Sequence, residues 1–145
     1  MMIGVVIMLA ESERLKRAPG FSEIREIALL SEALGFDSIW LYDHLLYEDK
    51  KGRRVGIWEC WSILSALAAF TRRVELGTLV ACNSFRNPAL QAKMAHTVNE
   101  ISAGRLVLGV GAGWDATPAR WPLPTWSAWL TRICWAGNKR RNAAI

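Results

Sequence analysis

The sequence is poor in cysteine, and its cysteines are not spaced as a metal site or a disulfide framework requires. Only Cys60, Cys82 and Cys134 occur among the 145 residues, and no two of them form a C-x-x-C pair. Structural zinc sites and disulfide-stapled domains both depend on paired cysteines. The pattern therefore predicts neither kind of site and is typical of a protein kept in a reducing compartment.

Long apolar runs and a secretory leader are also missing from the sequence. The longest apolar runs, such as Val5–Ala10 and Ala66–Phe70, are far shorter than the roughly 18–20 residues that span a bilayer. The first residues do not form the basic segment that opens a signal peptide. We therefore expect a soluble, cytoplasmic protein.

Acidic residues are almost absent from the end of the chain. Residues 115–145 hold five Lys and Arg against Asp115 alone, whereas residues 1–114 hold 13 Lys and Arg against 12 Asp and Glu. The last segment also contains three of the five prolines and four of the eight tryptophans, without a helical or strand period. We interpret residues 1–114 as the folded unit and residues 115–145 as an irregular, solvated tail. A nucleic-acid role is the weaker alternative, because a short basic run without a supporting fold is poor evidence.

The chain does contain four short aliphatic runs at similar spacing. Their first residues lie 35, 36 and 32 positions apart. The runs are continuous rather than alternating, which favours a parallel sheet covered on both faces. These predicted strands are Ile3–Leu9, Ser38–Leu41, Val74–Val80 and Leu106–Val110.

Three segments with a helical period lie between the predicted strands. Gly35 and Gly104 provide left-handed stops, and Asn87 followed by Pro88 is typical of a helix start. The resulting β-α-β-α-β-α-β order fits either an open doubly wound sheet or part of a (β/α)8 barrel, which needs about 250 residues in full. The residues predicted to face inward are Ile24, Ile27, Ala28, Ser31 and Leu34, then Trp61, Leu64 and Ala68, then Leu90, Met94, Val98 and Ile101.

Candidate functional residues follow the predicted strands, since parallel α/β folds gather their reactive groups at the carboxyl ends of the strands. Asp43 and His44 are the best catalytic candidates. An imidazole titrates near neutral pH, and an adjacent carboxylate can orient it or contact a ligand. A structural histidine that caps a backbone group is the alternative. The four carboxyl-end segments are Ala10–Glu13, Tyr42–His44, Ala81–Ser84 and Gly111–Trp114.

The glycine-rich run Gly109–Gly113 does not fit a dinucleotide-binding fingerprint. Trp114 occupies the position of the last glycine, no acidic residue follows Asp115, and the run comes after the fourth predicted strand instead of the first. The sequence therefore argues against a nicotinamide-binding domain. The small side chains still leave room for a flat ring or a phosphate.

Other conspicuous residues have simpler interpretations. We expect His96 to be a surface or packing residue of the third helix and Arg86 to form a surface salt bridge. Cys82 acts as a nucleophile only if a base approaches it, and a packing or ring-contacting role is favoured. Three aromatic residues are expected in the core or between helix and sheet. The alternative for Trp58 is a position at the carboxyl ends of the strands, where a ligand would enter. The three aromatic residues are Trp58, Trp61 and Phe70.

Five segments together resemble the N-terminal half of the bacterial luciferase-like flavin oxidoreductases. This family includes FMN-dependent monooxygenases and oxidoreductases that depend on the deazaflavin coenzyme F420. Each motif is weak alone, but the set is specific and covers about residues 1–114. The segments are Phe36–His44, Trp58–Trp61, Arg73–Val80, Phe85–Pro88 and Ile101–Trp114.

The resemblance implies a (β/α)8 barrel with FMN or F420 at the carboxyl ends of its strands and a small organic substrate. From the residues themselves we expect no metal, nucleic acid or membrane partner. His44 matches the acid/base group, and Asp43 matches a residue that contacts or orients the cofactor. Leu79 and Val80 match a non-proline cis peptide that supports the flavin ring. The other positions that match cofactor contacts are Ala81, Cys82, Ala112 and Gly113.

After Trp114 the sequence departs from the family, which continues with an acidic and aromatic segment and four more β/α units. We therefore expect a truncated member, and the change in composition suggests translation in a shifted reading frame. Half a barrel exposes an apolar layer and unpaired strand edges, so self-association is expected. An inactive half-barrel remnant or interaction module without turnover is the alternative function.

Overall fold

The computed structural model describes residues 1–13, 15–45, 47–48 and 52–112, and its elements alternate as the sequence predicts. The helices are α1 (Phe21–Ala33), α2 (Cys60–Phe70) and α3 (Pro88–Ile101). The strands are β1 (Gly4–Val6), β2 (Ser38–Leu41), β3 (Tyr47–Glu48), β4 (Arg54–Val55), β5 (Glu75–Thr78), β6 (Ala81–Cys82), β7 (Leu106–Val107) and β8 (Val110–Gly111).

Four of these strands form one parallel sheet in the order β1-β2-β5-β7. Ile39 lies at the centre of this register, between Val5 on one side and Leu76 on the other, and Leu76 in turn pairs with Leu106. The strand order follows the chain, without the reversal that marks a doubly wound sheet. Of the two folds open at the sequence level, the sheet therefore matches consecutive units of a (β/α)8 barrel.

The hydrophobic core lies between this sheet and the three helices. Strand alternation sends Ile39, Leu41 and Leu76 to the helix-covered face, where all three are fully buried. Burying a side chain of this kind contributes about 1.5–3 kcal/mol. The helix residues of the same core cluster are Ile24, Ala28, Cys60, Trp61, Ile63, Leu64, Leu67, Ala68, Ala95 and Val98.

The opposite face of the sheet is shaped by Trp40. Its ring lies over the neighbouring strand so closely that a β-carbon at Gly77 would be 2.4 Å from two ring carbons. The Trp40 indole Nε1 donates to Ser38 Oγ at 2.8 Å, which fixes the ring on this face. Val6 and Met8, which follow the same alternation, are 45% and 55% exposed. This face therefore carries apolar side chains that the described residues leave half open to solvent.

The predicted inward face of α2 is confirmed, but those of α1 and α3 were partly wrong. Ile27, Leu34, Leu90 and Ile101 are 44–68% exposed. The apolar pattern of these two helices covers a wider arc than the sheet can bury, so the large side chains at its margins stay outside. The buried stripes are Ile24, Ala28 and Ser31 in α1 and Gln91, Ala95 and Val98 in α3.

The helix ends agree with the sequence signals. Gly35 and Gly104 have φ of +88° and +82°, as left-handed stops require. Asn87 caps α3 by accepting a hydrogen bond from the Ala89 N–H at 2.9 Å. Glu59 caps α2, accepting from two backbone N–H groups of its first turn. None of the described helices is long and apolar enough to span a membrane.

Two long-range contacts fix the amino-terminal edge of the sheet. The Glu32 carboxylate accepts hydrogen bonds from the backbone N–H groups of Arg72, Arg73 and Val74. The Arg105 guanidinium donates to backbone carbonyls at the end of α2 and the start of β5, at 2.8–3.0 Å. These contacts hold the strands in register, so that their carboxyl ends present a defined set of loops.

Candidate functional site

The carboxyl edge of the sheet joins the loops after β2, β5 and β7. Beyond the main sheet, β6 and β8 form a second parallel pair, with Ala81 beside Val110 and Cys82 beside Gly111. The chain therefore leaves the main sheet at the end of β5 and continues through Leu79 and Val80. It then pairs again, as β6, with β8. This path places the segment of Leu79 and Val80 between the ends of the neighbouring strands.

The peptide bond between Leu79 and Val80 is cis, as the resemblance implied. The Leu79 N–H donates to the Leu41 carbonyl oxygen at 2.7 Å, which ties the segment to the end of β2. Leu79 and Val80 are 51% and 42% exposed. Two apolar side chains are thus presented to solvent at the edge where ligands of parallel α/β folds bind.

Asp43 lies directly after β2 and is buried, with its side chain only 1% exposed. Its carboxylate receives a two-pronged ion pair from Arg86, with N–O distances of 2.5 and 3.0 Å. The Cys82 backbone N–H also donates to Asp43 Oδ2, at 3.0 Å. Charge-assisted, bidentate pairs of this type are among the stronger hydrogen bonds in proteins. Asp43 therefore connects the end of β2 to the end of β6.

Arg86 is not the surface residue that the sequence suggested. Its side chain is 11% exposed, and besides Asp43 it donates to Glu59 Oε1 at 2.8 Å. Glu59 Oε2 meanwhile accepts from the Ser62 N–H at 2.7 Å. The surface interpretation failed because the two carboxylates lie 43 and 27 positions before Arg86 in the chain.

Arg86 and the carboxylates of Asp43 and Glu59 stabilise one another's charged forms. Burial lowers the pKa of Arg86, but the hydrogen bonds and charges of Asp43 and Glu59 outweigh it and raise that pKa above its ordinary value. Burial likewise raises the pKa of Glu59, and this is outweighed by hydrogen bonds from Ser62 and Trp61 and by the charge of Arg86, so the net shift is downward. Both groups are therefore charged at neutral pH.

His44 is half-buried at the same edge, next to Tyr42. The centroids of the two rings are 5.6 Å apart, with the ring planes tilted by 55°. The Tyr42 hydroxyl oxygen accepts hydrogen bonds from the backbone N–H groups of Leu9 and Ala10, at 2.7 and 2.9 Å. Tyr42 thereby joins the segment after β1 to the end of β2, and its ring lies beside the His44 imidazole.

Cys82 is buried, and its surroundings do not activate it as a nucleophile. Burial raises the pKa of its thiol, and the negative charge of Asp43 acts in the same direction, against hydrogen bonds from Ser84 and Phe85. The thiol is therefore protonated at neutral pH, whereas nucleophilic attack needs the thiolate. This supports the packing role that was favoured from the sequence.

The remaining predicted site residues lie near the same edge or outside the described residues. Ala81 is buried, and Ala112 is exposed, with its carbonyl oxygen accepting from Ser84 Oγ at 2.9 Å. Gly113, like the whole of residues 115–145, lies outside the described residues. His96 is an exposed residue of α3, within the range of roles expected for it.

The aromatic residues differ from expectation. Trp61 is in the core, but Trp58 and Phe70 are 45% and 43% exposed. The Trp58 indole Nε1 donates to the Pro19 carbonyl oxygen at 2.7 Å, and the Trp58 N–H donates to the Leu9 carbonyl oxygen at 3.3 Å. These bonds place Trp58 beside the segment between β1 and α1, in agreement with the alternative that put it at the carboxyl ends of the strands.

The sequence analysis did not predict the contacts that Tyr42, Glu59 and Arg86 make at this edge. Glu59 precedes the first residue of α2, a position where a carboxylate often caps a helix, and this signal was available. Within the described residues, no group of three or more His, Cys, Asp and Glu is placed to hold a metal ion.

Comparison with known proteins identifies the family. A model described as luciferase-like monooxygenase matches residues 1–125. The chain belongs to the luciferase-like monooxygenase family. It is 38% identical, over 95 residues, to an F420-dependent glucose-6-phosphate dehydrogenase of Amycolatopsis mediterranei, a match that covers 65% of this chain and 28% of the relative.

Two solved structures of the family show the same fold. An F420-dependent secondary alcohol dehydrogenase, bound to an F420-acetone adduct, has a TM-score of 0.64 and 25% identity, covering 82% of this chain and 37% of that one. The oxygenating constituent of a diketocamphane monooxygenase of Pseudomonas putida, in complex with FMN, has a TM-score of 0.61 and 22% identity, covering 83% and 32%. The predicted family and fold class are confirmed. The chain spans between 28% and 37% of the lengths of these three proteins.

Proposed function

We propose that the carboxyl edge of the sheet binds coenzyme F420 and that the chain takes part in hydride transfer between this cofactor and a small organic substrate. The observation that carries the proposal is the pair of half-exposed apolar side chains, Leu79 and Val80, on a segment bonded directly to the end of β2. Asp43 and His44 follow that strand end immediately. Membership of the luciferase-like monooxygenase family supports a flavin-type cofactor here.

F420 is favoured over FMN by the named relatives. The curated relative at 38% identity and the solved structure at 25% identity are both named for F420. The FMN complex is 22% identical, which supports the shared fold alone. FMN acting with oxygen is the second candidate, because the family model is that of monooxygenases.

The residues at the edge fit a flat, partly apolar ring. Leu79 and Val80 offer an apolar surface, and Gly109 behind them brings the backbone close, since a β-carbon there would be 3.4 Å from Val80 Cγ1. When bound, F420 supplies the two-electron hydride chemistry, and the protein supplies position and electrostatics. A side chain on Gly109 would push this surface outward.

Each predicted site residue has a role in this proposal. His44 gives a proton to the substrate oxygen or removes one from it, since an imidazole exchanges protons near neutral pH. Asp43 orients the edge through its bonds to Arg86 and Cys82. The residues proposed to contact or support the cofactor are Leu79, Val80, Ala81, Cys82, Ala112 and Gly113.

A titration of the purified chain with F420 and with FMN tests the proposal. We expect saturable F420 binding, followed by cofactor fluorescence, that is weakened by Asp43→Asn and by His44→Ala. His96→Ala is the matched control, because His96 is an exposed histidine of α3. Binding that both site variants leave unchanged would contradict the assignment. Binding of neither cofactor would favour the alternative, a remnant or interaction module without turnover.

The cellular setting belongs to the same proposal. The described cysteines, Cys60 and Cys82, are free and buried, which fits a reducing cytoplasm. Within the described residues, strands β1 and β7 lie at the two edges of the main sheet, and the face opposite the helices exposes Val6 and Met8. Unpaired edges promote association, so we propose a homo-oligomer without nucleic acid, and sedimentation of the purified chain measures its mass.

A further inference from the structure

Two consecutive β/α units meet at the guanidinium of Arg86. Arg86 lies between a short 3-10 helix, Asn83–Phe85, and the start of α3. Its two terminal nitrogens reach Asp43, which follows β2, and Glu59, which precedes α2. One side chain therefore ties the segment between β2 and α2 to the segment between β6 and α3.

In the cluster formed by Asp43, Arg86 and Glu59, the first two side chains are shielded from solvent. The side chain of Asp43 is 1% exposed and that of Arg86 is 11% exposed, whereas Glu59 is 41% exposed. One guanidinium serves two carboxylates, so its removal would leave the buried Asp43 carboxylate without the one ion-pair partner that the described part of the chain gives it. Breaking a buried ion pair on one side is strongly destabilising for this reason.

The oxygens of Asp43 are occupied by the protein. Oδ1 accepts from Arg86 Nη2 at 3.0 Å, and Oδ2 accepts from Arg86 Nη1 and from the Cys82 N–H. With this geometry Asp43 acts on the site through the backbone of Cys82. The cis segment of Leu79 and Val80 lies immediately before β6, so an anchor at Cys82 fixes where that segment ends.

We propose that Arg86 is the positioning residue of the cofactor edge: it holds the Asp43 carboxylate against the Cys82 N–H and so keeps the Leu79–Cys82 segment in place beside His44. The consequence for cofactor binding rests on the proposed function. The consequence for the segment itself does not, and it is measurable on the protein without cofactor.

Selective alkylation of Cys82 measures the position of the segment directly. The full chain is treated with iodoacetamide under native conditions, and the labelling of each cysteine is followed by peptide mass spectrometry. Cys82 is 6% exposed, so we expect slow labelling in the wild type and labelling about tenfold faster or more in Arg86→Met, because local opening exposes the thiol. Cys60 is fully buried but directly follows Glu59, so it reports opening at the start of α2, and circular dichroism reports whether the whole fold has opened.

Arg105→Met is the matched control. Arg105 is also a partly buried arginine that bonds to several backbone groups, but it lies at the amino-terminal edge of the sheet. We expect it to lower overall stability without accelerating Cys82 labelling beyond that of Cys60. If Arg86→Met does not fold, Arg86→Lys takes its place. A lysine keeps the charge but lacks the planar guanidinium fork that pairs with both Asp43 oxygens.

Cofactor affinity provides the second readout. In chains shown to be folded, we expect Arg86→Met or Arg86→Lys to weaken F420 binding about 10- to 100-fold, as loss of a residue that orients a binding group does elsewhere. Adding Asp43→Asn should weaken it little further, because the two residues act as one unit. A purely structural role predicts unchanged affinity of the folded fraction.

The outcomes separate the two proposals. Unchanged Cys82 labelling in folded Arg86 variants overturns the positioning role. Faster labelling with unchanged cofactor affinity also overturns it, because the segment then moves without effect on binding. If the wild-type chain binds neither cofactor, the proposed function fails, and Cys82 labelling alone decides whether Arg86 holds the segment.

Discussion

Gly109 and Thr78 approach each other so closely that no β-carbon fits between them. A β-carbon at position 109 would lie 2.3 Å from the Thr78 carbonyl oxygen. The Thr78 hydroxyl donates to the Gly109 carbonyl oxygen at 2.7 Å and accepts from the Gly109 N–H at 3.1 Å. This pair joins the end of β5 to the segment between β7 and β8, directly beneath Leu79 and Val80.

Gly109→Ala is therefore expected to destabilise the chain. The new methyl group meets backbone rather than a movable side chain, and overpacking of this kind costs about 1–3 kcal/mol. The free energy of unfolding in urea measures the loss. Gly56→Ala is the control, since a β-carbon at Gly56 would meet no heavy atom within 4 Å. Equal stabilities of the two variants would show that the Thr78 contact is not a constraint.

Arg105→Met is expected to lower the free energy of unfolding by about 2–4 kcal/mol. The guanidinium and Nε donate five hydrogen bonds, to Ser102, Thr71, Val74 and Ala68, and carbonyls left without a charged donor in a partly buried place are costly. Arg72→Met is the control, because Arg72 is exposed and its guanidinium bonds to the Ala69 carbonyl at 3.2 Å. Urea denaturation measures the free energy of unfolding of both variants. A loss for Arg105→Met no larger than that for Arg72→Met would refute the stabilising role of Arg105.

Local signals in the sequence predicted the elements well. The helix stops at Gly35 and Gly104 and the cap at Asn87 are decided by neighbouring residues, so they can be recognised from a short window. Ser38–Leu41 was predicted with its observed bounds. The predicted strand Val74–Val80 was too long, because the chain leaves the sheet at Thr78 and pairs again as β6.

Long-range polar contacts could not be predicted in this way. The bonds of Arg86 to Asp43, of Arg105 to Val74 and of Glu32 to the backbone of Val74 each span between 31 and 43 positions. No periodicity relates such residues, since only the packing of the helices on the sheet brings them together. The motif containing Arg86 was recognised as part of the family pattern, but its burial follows from the tertiary structure.

Glu32 should make stability depend on pH. Burial raises the pKa of this carboxyl, but hydrogen bonds from Val74, Arg73 and Arg72 and the charge of Arg105 outweigh it, so the pKa in the folded state is lower than its ordinary value of 4.5. A lowered pKa means that the unfolded chain binds the proton more readily. The stabilisation by Glu32 is therefore complete above pH 4.5 and is lost as the pH falls through the folded-state pKa.

Urea denaturation at pH 7 and at decreasing acidic pH checks this dependence. Glu32→Gln should be less stable than the wild type at pH 7, and the difference should shrink as the pH falls below 4.5. Glu26→Gln, at an exposed position of α1, is the control for general effects of charge removal. A difference between wild type and Glu32→Gln that stays constant with pH would contradict the account.

Leu79→Ala should separate stability from cofactor binding. Leu79 is 51% exposed, so its truncation removes little buried surface and should change the free energy of unfolding by less than about 1 kcal/mol. If the cofactor ring covers the exposed half of this side chain, truncation forfeits about 1 kcal/mol of binding, or roughly fivefold in affinity for F420. Leu30→Ala is the matched control, because Leu30 is 59% exposed but lies on α1. Titration of both variants with F420, alongside urea denaturation, decides the matter: equal affinities would remove Leu79 from the binding surface, whereas a loss confined to Leu79→Ala would place the ring on it.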